Sequence, residues 1–141
     1  MQVINSLGKY QLVPLFFAQD NVADSQSAVA LFTAEVASAA GVANIGYTMP
    51  FAGEIIAISS NLNAAATTGT LTIVPTIAAV AASDPTIAMT TLAVGSDTCR
   101  RATNPFAANA VIGASITTSG WNGTSSDLNV IVWVLLTISG I

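Results

Sequence analysis

The sequence predicts an all-β fold, an antiparallel β-sandwich formed as a single domain, preceded by an extended N-terminal arm. Three observations predict it. From Val42 onward apolar residues alternate with a period of two, the pattern of half-buried strands. Clusters of Gly, Pro, Asn and Asp cut that pattern into about seven or eight strand-length segments, the spacing of a sandwich or jelly roll. The chain has 141 residues, a length that suits one domain.

The elements follow in order. Residues 1–26 show no sustained period and read as the arm, with residues 27–141 as the β domain. Within the arm, Lys9-Tyr10-Gln11-Leu12-Val13-Pro14-Leu15-Phe16-Phe17 is apolar and extended, and Pro14 excludes a helix interior. Such a segment stays soluble only by packing on its own domain or on a neighbouring subunit. Deleting residues 1–17 is therefore expected to spare the β domain and weaken its assembly. Residues 27–40 fit either a helical face (Ala28, Leu31, Phe32, Glu35, Val36, Ala39) or a strand alternation. Their alanines favour the helix, while the β-rich flanks favour the strand.

Ile45, Tyr47 and Met49 alternate with Gly46 and Thr48 until Pro50 removes a ladder donor. In the next strand Ile56, Ile58, Ser60 and Leu62 take one side, and Ile55, Ala57 and Ser59 the other. Leu71, Ile73, Pro75 and Ile77 then alternate with Thr70, Thr72 and Thr76, threonine suiting a solvated sheet face. A turn at Ser83-Asp84-Pro85 precedes a strand through Ile87, Met89 and Thr91. The polar stretch from Gly95 to Pro105, with Cys99, Arg100 and Arg101, reads as a loop. Val111–Thr117 is a strand with Ile112, Ala114 and Ile116 on one face. Turn residues fill Gly120–Asp127, and the last strand runs from Leu128 to Ile138. That strand is apolar on both faces at its centre, Val130, Val132 and Val134 on one and Ile131, Trp133 and Leu135 on the other. Both faces are expected to be covered.

Composition bounds the function. Apolar residues make up 52% of the chain and charged residues only 7%, against about 25% in ordinary globular domains. Charge that sparse leaves apolar surface exposed, and large apolar patches mark contacts with other proteins. The longest strongly apolar run, Val130–Leu136, is too short for a membrane-spanning helix. Lys9, Arg100 and Arg101 are the only cations against a net charge of −4, which excludes a phosphate-binding stripe for nucleic acid. Lys9 followed by a short apolar run broken at Pro14 does not read as a signal peptide.

No enzyme, cofactor or metal site is expected. The chain has no histidine and one cysteine, Cys99, which removes the commonest general base, a Ser-His pair and a zinc ligand set. Phosphate-cradling glycine patterns and a G-x-S-x-G elbow are absent from the sequence. Glu35 and Glu54 are the candidate acid–base carboxylates, yet nothing polar is spaced to tune either. Glu54 reads better as a strand-start carboxylate or as the ion-pair partner of Arg100 or Arg101. Asn122-Gly123-Thr124 matches the glycosylation pattern. The candidate interface residues are Tyr10, Leu12, Val13, Pro14, Leu15, Phe16 and Phe17 of the arm, the cations Arg100 and Arg101, and Trp121 and Trp133. Tryptophan and arginine are enriched at binding hot spots.

Two segments carry a family resemblance. "YTMPFAGEIIAISSNL" from Tyr47 and "TTGTLTIVPTI" ending at Ile77 resemble small phage virion proteins. In those proteins an aromatic-x-Met-Pro turn and a glycine lead into an Ile-rich strand, and a Thr-Gly hairpin returns as a Thr/Val strand. With its size and apolar arm, the chain is similar to the capsid decoration (cement) proteins of tailed phages with jelly-roll-like domains, including the thermophilic-phage type. Its low charge departs from thermophilic practice. The resemblance implies a homotrimer on the outer capsid surface of the virion that bridges major capsid protein subunits and stabilises the shell. A tail- or head-fibre receptor-binding module, acting through residues 95–106 and 120–127, is the alternative.

Overall fold

The structure, a computed structural model, describes residues 9–33, 46–123 and 126–138. Residues 34–40 of the ambiguous segment, Glu35 among them, lie outside the described residues. Those described hold strands and no helix: β1 (Tyr10–Gln19), β2 (Val29–Ala30), β3 (Tyr47–Thr48), β4 (Gly53–Leu62), β5 (Thr70–Ile77), β6 (Val80–Ala81), β7 (Ile87–Met89), β8 (Val94–Thr98), β9 (Asn104–Phe106), β10 (Val111–Ser119) and β11 (Leu128–Thr137).

Two antiparallel sheets pack face to face as a sandwich. The first runs β1-β11-β4, and both β8 and β9 line the far side of β4, β9 against Gly53–Ile55 and β8 against Ala57–Asn61. The second is built around β10 and β5. There β2 and β3 share the outer side of β10, and β6 and β7 share that of β5. Counted as broken single strands, these short pairs give four positions per sheet. The pairings then nest from the outside inward: β1 with β11, β2/β3 with β10, β4 with β8/β9, and β5 with β6/β7. A long antiparallel hairpin rolled over on itself has this connectivity, which is the jelly roll.

Alternation in β5, β10 and β11 fills the space between the sheets. Leu71 and Ile73 of β5, Ile112, Ala114 and Ile116 of β10, and Leu128, Val130, Val132 and Val134 of β11 are all buried. At β4 the observed phase differs from the expected one. The register to β11 shifts between Trp133 and Val134, so that Trp133 faces Ala57 while Val134 faces Ile55. Ile56 is the extra residue of a β-bulge. Ile55 therefore joins Ile58, Ser60 and Leu62 on the buried side, and Ile56 lies partly exposed. Gly53 opens this strand for steric rather than conformational reasons. A Cβ there would lie 2.5 Å from the Leu135 carbonyl oxygen and 2.8 Å from the Phe106 ring.

The stretch from Gly95 to Pro105 is not a plain loop but carries β8 and β9. Both are short edge strands built largely of Gly, Ser, Asp, Thr, Asn and Pro, with exposed Val94 and buried Asn104 against the expected alternation, and so they hide the period. Residues 10–19 also depart from an appended arm. They pair with β11 along their whole length, from Tyr10 opposite Thr137 to Gln19 opposite Leu128. Pro14 is tolerated because of its phase. Ala18 exchanges hydrogen bonds with Phe32, away from β11, and the Phe16 carbonyl accepts the Tyr47 hydroxyl on that same side. Pro14 shares their phase, so its ring nitrogen faces the sheet edge and no bond to β11 is lost.

Leu15 and Phe17 point inward and are 4% and 2% exposed, whereas Leu12 and Phe16 point outward at 51% and 56%. Phe17 also meets Tyr47 edge to face, with ring centroids 5.5 Å apart. Truncating Leu15 or Phe17 to alanine should cost about 2–5 kcal/mol in urea unfolding. Leu12→Ala and Phe16→Ala should each stay within about 0.5 kcal/mol. Removing residues 1–17 should unfold the domain rather than spare it. Equal losses at buried and exposed positions would show β1 to be dispensable to the core.

Candidate interaction surface

The two outer faces of the sandwich differ in chemistry. On the second sheet the outward positions are Thr70, Thr72, Val74 and Thr76 of β5 and Val111, Gly113 and Ser115 of β10, mostly small or hydroxylated. On the first sheet the register sets large apolar side chains side by side. Leu12 and Leu135 form one cross-strand row, Pro14, Trp133 and Ala57 the next, and Phe16 and Ile131 the third. Ile56 of the bulge adds to the middle of the face. In the phase described above these outward pairs on β1 and β11 are the non-hydrogen-bonded ones, whose side chains stand closest. The face becomes polar toward its far end. There Ser59 and Ser96 continue the Phe16 row, and Asn129 and Asn61 lie opposite each other in the last.

Ile131, Trp133 and Leu135 are only partly buried, so the outer side of β11 is not covered by any described element. Among the described residues, the expectation that both faces are covered holds for the inner one alone.

A polar clasp closes the apolar end. Glu54, opposite Leu135 in the register, is 8% exposed. Its carboxylate accepts Arg101 Nε at 2.7 Å and the backbone N–H of Ala102. Ala102 lies at φ 63°, in the left-handed region. The Arg101 guanidinium in turn lies 4.6 Å from the centroid of the Tyr10 ring, within cation–π range. The turn between β8 and β9 is thus tied to β4 and to β1. Glu54 is the ion-pair partner of Arg101, one of the two cations the sequence offered it.

Burial alone would raise the Glu54 pKa, but the Ala102 N–H and the Arg101 guanidinium outweigh it and hold the carboxyl below its ordinary range. Arg101 is pushed up, chiefly by its bond to Glu54 and then by Tyr10.

The structure divides the sequence-derived interface set. Tyr10, Leu12 and Phe16 are exposed, and Pro14 and Trp133 lie partly exposed on the same face. Arg100 is exposed, and Arg101 is exposed but engaged in the clasp. Leu15, Phe17 and Trp121 leave the set as core residues, Trp121 being 2% exposed. Its backbone N–H donates to Asp24 Oδ1 at 2.8 Å, and the ring packs so tightly on Gly123 that a Cβ there would lie 2.7 Å from it. Val13 is partly buried against the core. Sequence reasoning missed Ile56, Ile131 and Leu135 as surface residues, because their exposure depends on the bulge and on which face of β11 is filled.

Among the described residues no three His, Cys, Asp or Glu side chains group as metal ligands. The Cys99 thiol donates to the Ile55 carbonyl at 3.1 Å, and burial, then Asp84, pushes its pKa up. Asn122 accepts the N–H groups of Thr67 and Thr68 and donates to the Thr67 hydroxyl, so its amide is engaged; Thr124 lies outside the described residues. No protein-family model, curated protein or solved structure matches the chain.

A carboxyl whose folded pKa is depressed stabilises above its unfolded pKa and loses that contribution as pH falls through the folded value. Glu54→Gln should therefore lower stability at pH 7. The gap to wild type should shrink below about pH 4, where the unfolded carboxyl also takes up its proton. Urea unfolding of both proteins across that range checks it; a gap that is constant with pH would remove Glu54 from the acid response.

Proposed function

We propose that this chain is a structural subunit that works by binding other protein surfaces through the outer face of its first sheet. The form favoured by the sequence resemblance is a capsid decoration protein, a homotrimer on the outer shell that bridges major capsid subunits. One observation carries the reading: the apolar outer side of β11, flanked by Leu12, Pro14 and Phe16, is left uncovered by the described residues.

Its size supports the same reading. Four strand positions about 4.8 Å apart and about ten residues long make a face of roughly 600 Å². A specific interface takes about 800 Å² per partner, so the face with its edges is of the right order. The apolar rows carry no charge, and the nearest ion pair is internal. Contact there desolvates no unpaired ion. Pro14 at the open edge of β1 disfavours strand addition, which leaves packing of the face as the mode of contact. In a trimer three modest contacts act together, and tethering of this kind raises avidity without new contact types.

Light scattering should give a trimer, and the protein should bind expanded capsids and raise their heat stability. Leu12→Ser, at an exposed position, should keep the fold and weaken assembly or capsid binding about tenfold or more. A strict monomer with no affinity for capsids would refute the reading.

A further inference from the structure

The polar end of the same sheet face has a separate character. A groove of about 530 Å³ opens there, walled by Phe16, Ile131, Thr33, Ser59, Asn61 and Asn129. Asn61 and Asn129 are exposed and stand directly opposite each other on β4 and β11, which puts their Cβ atoms about 5 Å apart. Neither amide, nor the Ser59 hydroxyl, hydrogen-bonds to a described residue. The amides of Asn21, Asn63, Asn104 and Asn122 bond to described residues, while that of exposed Asn109 does not. Phe16 offers an exposed ring beside them, and its backbone is held by the Tyr47 hydroxyl, which donates to the Phe16 carbonyl at 3.1 Å.

We infer that this groove binds a neutral, hydroxyl-rich ligand, an oligosaccharide, through the Asn61–Asn129 amide pair, Ser59 and the Phe16 ring. Each amide offers two donors and an acceptor, which matches the mixed donor and acceptor hydroxyls of a sugar. An aromatic ring packs against a sugar's C–H face. Among the described residues no charged side chain lines the groove, so an ionic ligand would lose its hydration and find no charged partner among them. An apolar protein surface fits worse as well, because it would bury both amides without offering either a partner. The apolar rows at Leu12, Trp133 and Leu135 raise no such penalty. The inference therefore does not rest on the assembly reading, and it places ligand binding on the sheet rather than on the loops at residues 95–106 and 120–127.

Two-dimensional ¹⁵N NMR of the full chain, titrated with maltotriose and with triacetylchitotriose to about 10 mM, tests it, since a millimolar site is visible at that concentration. At least one sugar should give saturable shifts of the Asn61 and Asn129 side-chain NH₂ signals. Those shifts should be lost in Asn61→Ala/Asn129→Ala and weakened about tenfold in Phe16→Ala. Leu12→Ser, which tests assembly, should bind the sugar as wild type does. No saturable shift with either sugar, or shifts that persist in the double variant, would overturn the inference. So would signals of this end that respond to protein concentration or added capsids and not to sugar.

Discussion

β11 is hydrogen-bonded along nearly its whole length on both sides, to β1 and to β4, and the sandwich is organised by that double pairing. Its inward valines and leucines fill the centre of the core, where they meet β5 and β10 from the opposite sheet. Its outward side chains set the registers that bring Leu12, Pro14 and Phe16 into line with Ile131, Trp133 and Leu135. The extra residue in β4 belongs to the same constraint. Without the bulge at Ile56, either Glu54 and Ile55 or Ile58, Ser60 and Leu62 would swap faces. The Glu54 carboxylate would then point into the apolar core away from Arg101, or core isoleucine would be exposed.

The strands most easily read in the sequence are those with one filled face and one solvated face. β5 alternates Leu71 and Ile73 with threonines, and its burial follows the same phase. β10 was legible for the same reason, and β11 as a long run of β-branched and apolar residues bounded by turn residues. β8 and β9 were not, because edge strands facing water carry Gly, Ser, Asp and Pro, the residues that also make loops. β1 was misread through Pro14, whose cost vanishes at an open edge, and through outward Leu12 and Phe16, which erase the alternation that Leu15 and Phe17 would otherwise show. Trp121 was an interface candidate because tryptophan is enriched at binding hot spots, whereas its burial depends on Asp24 and on the space left by Gly123. The Glu54–Arg101 pair was legible in outline, since so few charges leave few partners. The Tyr10 ring above it was not.

The functional reading depends on the division of one sheet face. Its apolar end, bounded by the Glu54–Arg101–Tyr10 clasp, suits contact with protein, while its amide-bearing end suits a ligand with hydroxyls. A single face can serve both only because the change from leucine and tryptophan to asparagine and serine falls along the strands. The long strands β1, β4 and β11 then each contribute to both ends.

The nested hairpin also governs how the chain reaches this state. Tyr10 pairs with Thr137 and Gln19 with Leu128, so the outermost pairing joins residues more than a hundred positions apart in sequence. Such contacts require closing a long loop before they return any energy, and folds dominated by them are slow to form. During synthesis β1 emerges first and waits for β11, with Leu12, Leu15, Phe16 and Phe17 all open to solvent. Pro14 sits in the middle of that waiting segment and breaks the row of backbone donors that another chain would need to pair with it. The residue that looks least suited to a strand is thus the one that guards it until its partner arrives.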